Sequence, residues 1–278
     1  MGLRINTNIE AFNAHRSLSA TSLKLSRSME KLASGFRINR AADDAAGLGI
    51  SERMRAQING VAQASRNAQD GISLVQTAEG ALQEFHSILH RIRDLAVQFN
   101  NGVYDAQSQL AITTEVTQLS LELGRMLTAS SFNGIAVLSG AIGGVMTTLQ
   151  IGANTGEIIT LQAVAAGAEL AANTVVMDFA SLAAGPGLSV DISQIDSVID
   201  TISQLRSGLG AVQNRLEHTV TSLGVYQENL AGAESRIRDV DMASEMTNFT
   251  KLQILQQSGM AMLSQANMTP QSLLSLLS

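Results

Sequence analysis

The chain has 278 residues and a formal net charge of −6, with no Cys, no Trp, two Tyr and two Pro. Without Cys there is no disulfide framework, thiolate metal site or cysteine nucleophile, and the negative balance argues against general electrostatic attraction to nucleic acid or an anionic membrane. Leu, Ala, Ile, Met, Ser, Gln and Asn dominate, so the expected core is aliphatic and helical, because straight-chain side chains lose little rotamer freedom in a helix.

The opening MGLRINTNIEAFNAHRSL lacks the unbroken apolar run of a cleavable signal peptide, so an exported form would need another route. Ile5, Ile9, Phe12, Leu18, Leu25, Met29 and Leu32 recur at helical spacing. A mixed-charge stretch follows, with Arg37, Arg40, Arg53 and Arg55 near Asp43, Asp44 and Glu52. Adjacent carboxylates such as Asp43 and Asp44 diverge in direction, so hinge and contact roles outweigh a metal or acid pair there.

A long helix is expected next. Val61, Ala64, Ala68, Ile72, Val75, Ala78, Leu82, Phe85, Leu89 and Ile92 form a seam at steps of three and four. Gly60, Gly71 and Gly80 each weaken it by about 1 kcal/mol relative to Ala, a cost that close helix approach would offset. His86 and His90 stand four apart, but neither the Glu of a zinc-protease helix nor a third ligand accompanies them. A third helix is read from Gln107 to Leu127 through Leu110, Val116, Leu119, Leu123 and Met126.

From Asn133 to Ala184 the composition shifts to Gly, Ala, Thr and Val. Thr147–Ile151, the turn Gly152–Gly156 and the return Ile158–Leu161 read as a small hairpin. No Lys or Arg occurs between Arg125 and Arg206, while six acids do: Glu157, Glu169, Asp178, Asp191, Asp196 and Asp200. Those six account for the whole net charge, so the middle is a different kind of segment from the ends.

From Ile202 a heptad seam runs through Leu205, Leu209, Val212, Leu216, Thr219, Leu223, Tyr226, Leu230, Ala233 and Ile237 to Val240. As one helix it would reach roughly 58 Å, beyond the ~48 Å diameter of a compact chain of this length, which predicts a rod. The last segment carries Met246, Phe249, Leu252, Leu255, Met262 and Leu263, and ends in the uncharged Leu-rich tail after Pro270. Chain ends are normally solvated. Apolar, patterned ends either fold back on their own rod or pair with each other and bury their outer faces against further copies, as in an open heterologous assembly.

Lys31-Leu32-Ala33-Ser34-Gly35-Phe36-Arg37-Ile38-Asn39, followed by Ala42-Asp43-Asp44-Ala45-Ala46-Gly47, closely resembles the N-terminal signature of bacterial flagellins. Ile92–Gln98, Phe132-Asn133-Gly134, Leu209–Arg215, Glu234–Asp241 and Gln253–Gln257 resemble further segments of that family, in the same order. The resemblance implies a structural, non-enzymatic subunit that assembles into the extracellular flagellar filament, without cofactor or metal. The alternative it leaves is a hook–filament junction protein with flagellin-like ends.

The implied fold is mainly α, an elongated rod of long antiparallel coiled-coil helices with a small β region at one end and paired N- and C-terminal helices. Residues 1–42 with 238–278 would form the polymerisation domain, and 43–237 the rod, with the β region at about 133–185. Terminal packing would fall on Ile5, Ile9, Phe12, Met246, Phe249, Leu252, Leu273 and Leu274. Arg37, Asn39, Asp43 and Asp44 would make inter-layer and inter-subunit contacts. The implied partners are further copies of the chain, the flagellar export apparatus and its chaperone, the filament cap and hook-associated proteins, with no nucleic acid or membrane. Arg91, Leu95 and Glu115 match a family surface recognised by an animal Toll-like receptor. On energetic grounds, burying a dozen aliphatic side chains, each contributing roughly 1.5–3 kcal/mol, is comparable with the ~1–2 kcal/mol per residue that ordering the backbone costs. The ends are therefore expected to be mobile in the monomer and helical in the polymer.

Overall fold

The computed structural model describes residues 8–138, 147–161 and 191–277, with the side chains of 147 and 270–277 left aside. Among the described residues the protein is mainly α. It has five helices: α1 (Ile9–Ser34), α2 (Ala45–Phe99), α3 (Ala106–Ala129), α4 (Ile192–Arg238) and α5 (Met242–Leu277). Two antiparallel hairpins accompany them, β1 (Ser131–Phe132) with β2 (Ile135–Ala136), and β3 (Thr147–Gln150) with β4 (Ile158–Leu161). The chain divides into two compact units, residues 1–58 with 228–278, and residues 59–227.

The second unit holds the main core. The α2 seam is buried as its spacing requires: Val75, Leu82, Phe85, Leu89 and Ile92 face Val116 and Leu123 of α3 and Ile195, Ile202, Leu209 and Leu216 of α4 in one apolar cluster. Polar pairs at its rim set the helix directions. Arg91 bonds Glu115 at 2.6 Å, Arg93 bonds Asp196 at 2.5 Å and Arg206 lies 3.6 Å from Glu79. Numbers that rise along α2 fall along α4, so these two helices are antiparallel.

The β3–β4 hairpin forms where the sequence placed its strands and turn, and the structure sets its register, Thr147 opposite Leu161 and Gln150 opposite Ile158. Ile159 and Leu161 point into the core. Two of the three helix-weakening glycines have a physical reason here. A Cβ on Gly60 would sit 2.9 Å from that of Ala153, and one on Gly71 would collide with Leu149 of β3. Gly80 has open space beside it.

Three features differ from the sequence reading. Helix α4 starts at Ile192 rather than Ile202, because Ile195 and Val198 continue the buried seam backwards. Asp191 starts it, its Oδ1 accepting from the Ser193 N–H at 3.0 Å, an N-cap bond to a backbone donor that the first helical turn leaves unpaired. The β1–β2 hairpin turns on Asn133 and Gly134, both at positive φ (48° and 78°), the Asn-Gly turn that matches strand twist. In α3 the buried positions near the start are Ile112 and Thr113, and Leu110 is exposed. The stretch expected to complete the β region, 162–185, lies outside the described residues.

Candidate subunit interface: the paired chain ends

Helix α1 begins at Asn8, whose Oδ1 accepts from the Ala11 N–H at 3.0 Å. The same side chain reaches across the pair: its Nδ2 donates to the Ala266 carbonyl at 2.7 Å. Ala266 lies four residues before Pro270, which has no N–H to offer it. Asn8 thus caps one helix and joins the Thr269 hydroxyl, 3.0 Å away, in supplying the carbonyl that a proline deprives in the other. Helix α1 ends at Gly35, where φ of 75° and an N–H bond to the Lys31 carbonyl make a left-handed cap.

Helices α1 and α5 pack antiparallel. Asn8 meets Ala266, Leu18 approaches Gly259, and the buried Ser28 hydroxyl donates to Glu245. With Leu252 these α5 partners stand seven residues apart, a heptad stripe. Leu252 is 7% exposed and Phe249 half-buried, so both belong to the seam. Ile9, Phe12 (71% exposed) and Met246 do not; they lie open to solvent with Leu23, Met29, Ile254 and Leu255. Ile5 and the side chains of Leu273 and Leu274 lie outside the described set. Beside the seam, Lys24, Arg27, Lys31 and Lys251 line a basic cleft around Glu245.

The segments joining the helices run side by side. Phe36 bridges Asp239, with the Arg37 N–H on the Arg238 carbonyl at 2.7 Å and the Val240 N–H on the Gly35 carbonyl at 3.0 Å. The four charged and polar residues singled out in this stretch all have partners within the chain. The Arg37 guanidinium donates to the Ile237 carbonyl at 2.6 Å, and Asn39 donates to Ser34 Oγ at 2.8 Å. Asp43 Oδ2 accepts from the Arg40 and Asn39 N–H groups, and Asp44 Oδ1 takes the Gly47 N–H at the start of α2. The Arg40 N–H is the largest influence holding the Asp43 carboxyl below its ordinary value, against a smaller opposing effect of burial.

Sequence reasoning missed the residue that fastens this joint. The Arg238 side chain, 12% exposed, bonds Glu52 at 2.6 Å and lies 5.0 Å from the centre of the Phe36 ring, an ion pair joined to a cation–π contact. Ser28, Glu245 and Asn8 were missed as well. Each is an ordinary polar residue in sequence and acquires its role only through a residue some two hundred positions away.

In the second unit, Arg91 and Glu115 form an exposed ion pair, but Leu95 is 2% exposed and packed in the core. Its side chain is no part of a surface, so of the three residues expected to share an exposed patch only Arg91 and Glu115 are exposed. It is buried because position 95 continues the α2 seam by one further step of three from Ile92. His86 and His90 bring their Nε2 atoms to 2.9 Å with the rings edge to face. Burial, then the neighbouring His90 and Arg206, lower the His86 pKa. No third ligand joins them among the described residues.

The fold and this site define a helical protein whose first and last helices pair with each other and leave many of their apolar side chains exposed. Residues 5–142 match the bacterial flagellin N-terminal helical region, and residues 192–277 the bacterial flagellin C-terminal helical region. The chain belongs to the bacterial flagellin family. It is 50% identical to a flagellin of Halalkalibacterium halodurans over 98% of this chain and 99% of that one. It is 48% identical to flagellin FlaB2 of Treponema pallidum, again over 98% and 99%, and 46% identical to a flagellin of Bacillus subtilis, over 99% and 100%. A solved structure assigned to the flagellar hook-associated class, from Vibrio parahaemolyticus, shares the fold alone. Its identity is 14% and its TM-score 0.57, covering 71% of this chain and 100% of that one.

Proposed function

We infer that this chain is a structural subunit that polymerises with copies of itself into the flagellar filament outside the cell, with no catalytic step of its own. The observation that carries this is the α1–α5 pair, closed by a single stripe of contacts while Ile9, Phe12, Leu23, Met246, Ile254 and Leu255 stand exposed. Apolar area on this scale is characteristic of an interaction surface, and a flagellin subunit has copies of itself as the natural occupant. Residues 1–42 with 238–278 serve polymerisation and 43–237 form the helical rod. The segment with Arg37, Asn39, Asp43 and Asp44 keeps the geometry of the joint between them. Export apparatus, chaperone, filament cap and hook-associated proteins are the partners that such a life cycle requires.

The test is growth from seeds. Purified protein added to sonicated filament fragments should extend them into micrometre-long fibres by electron microscopy, with residues 8–34 exchanging amide hydrogens more slowly in the fibre than in the monomer. Protein that stays monomeric at high concentration with seeds present would overturn the reading. A junction protein would cap the fragments without extending them. Recognition by a Toll-like receptor would rest on Arg91 and Glu115: absence of any reporter-cell response to the monomer would dismiss recognition, and a response unchanged in an Arg91→Ala variant would dismiss the role of this pair.

A further inference from the structure

Helix α5 exposes thioethers in an ordered way. Its five methionines, Met242, Met246, Met260, Met262 and Met268, are between 48% and 64% exposed. At about 100° per residue, four of them (Met242, Met246, Met260 and Met268) fall within an arc of about 80°. The stripe runs along one side of α5, about 130° around the helix from the positions that face α1, and Gln253, Gln257 and Ser264 fill the gaps without a charge. Leu would serve a fixed interface equally well. Met adds a flexible, polarisable side chain that adapts to its neighbour, and it adds susceptibility to oxidants.

We propose that Met242, Met246, Met260 and Met268 form an oxidation site on the assembly surface, whose conversion to sulfoxides by a peroxide holds the chain in its unpolymerised form. This rests on the reading of the α1–α5 outer face as the polymerisation surface. In each event the thioether sulfur attacks one peroxide oxygen. An S–O bond forms as the O–O bond breaks, the sulfur loses two electrons, and the reduced second oxygen leaves as water after proton transfer. The product carries a strong S=O dipole in place of an apolar thioether, and burying four of them with only the intervening Gln and Ser side chains as donors is unfavourable. A subunit already in the filament has this flank covered, so the sensitivity belongs to the free chain.

The experiment treats the full-length monomer with hydrogen peroxide, removes the excess, locates sulfoxides by peptide mass spectrometry and measures growth on untreated filament fragments. The concentration needed for growth should rise about tenfold or more, since about 1.4 kcal/mol of lost contact free energy already gives a factor of ten. The two stereospecific methionine sulfoxide reductases should restore growth, and preformed filaments should take up oxygen at these four positions far more slowly than monomer. A variant with Met242, Met246, Met260 and Met268 all replaced by Leu, a nearly volume-conserving change, should grow to the same extent with the treatment as without it. Oxidised wild-type chain that grows like the untreated chain, or a Leu variant that loses growth equally, overturns the proposal. If the Leu variant cannot grow even untreated, reductase rescue of the wild-type chain decides. Failure of untreated wild-type protein to grow would instead strike the functional reading itself.

Discussion

The helical core of residues 59–227 and the α1–α5 pair are made from similar aliphatic sequences, yet they finish folding to different degrees. In the core, α2 is flanked by α3, α4 and the β3–β4 hairpin, so Leu82, Phe85 and Val75 lose essentially all contact with water. In the pair, each helix has one neighbour, and a single neighbour covers only a stripe. Ser28 is the buried residue of α1 and Leu252 that of α5 among the described side chains. The same amphipathic pattern therefore yields a self-sufficient core in one place and an incomplete one in the other. Number of packing partners, more than hydrophobicity, separates them.

That contrast can be broken by paired substitutions. Phe85→Ala should cost about 3–5 kcal/mol, read as a lower urea midpoint. Phe12→Ala should change monomer stability by no more than about 0.5 kcal/mol while raising the concentration needed for filament growth. Equal losses of stability in the two variants would erase the distinction.

Within the terminal unit, Arg238→Ala removes the ion pair with Glu52 and the contact with Phe36. A loss of about 1.5–3 kcal/mol is expected, the range for a hydrogen bond to a charged group. Amide exchange around Phe36 and Asp239 should quicken first, and unchanged protection there would show that the backbone bridge alone holds the joint. Asn8→Ala should cost about 1 kcal/mol, seen as fraying at both α1 and the end of α5. Pro270→Ala in that background should recover the α5 part, because the restored N–H supplies an Ala266 carbonyl that otherwise keeps only the Thr269 hydroxyl.

The smallest expected effect is acid dependence. The Arg93 hydrogen bond lowers the pKa of Asp196 from 3.8, so the stabilisation is complete above that value and is lost as pH falls through the lower, folded-state value. Asp196→Asn should flatten the acid limb of core unfolding below about pH 4. Asp43, also lowered, has the same sign in the terminal unit, and Asp43→Asn should alter exchange near Arg40 while leaving the core limb as it was.

Much of the architecture was legible in the order of residues. Repeats of three and four marked the α2 and α4 seams, and nearly every named α2 position is buried, because a helix long enough to show many turns constrains its own facing. Alternation on either side of Gly152–Gly156 marked β3 and β4. What stayed hidden was of two kinds. Short elements such as β1–β2 carry only one turn signal, Asn133-Gly134, amid a helical context. Contacts between distant polar residues carry no local signal at all.

The chain by itself thus determined where helices form, which stripe of each is apolar, and that both ends are apolar where solvated ends are usual. Those are consequences of side-chain chemistry repeated at a fixed rise and rotation. Only the tertiary structure decided that Phe12 is surface, that Arg238 joins Glu52 and Phe36, and that Asn8 reaches the Ala266 carbonyl near the far end of α5. A periodic pattern says that a face seeks cover. How many neighbours arrive to cover it depends on the packing of segments far apart in sequence, and that is settled in three dimensions.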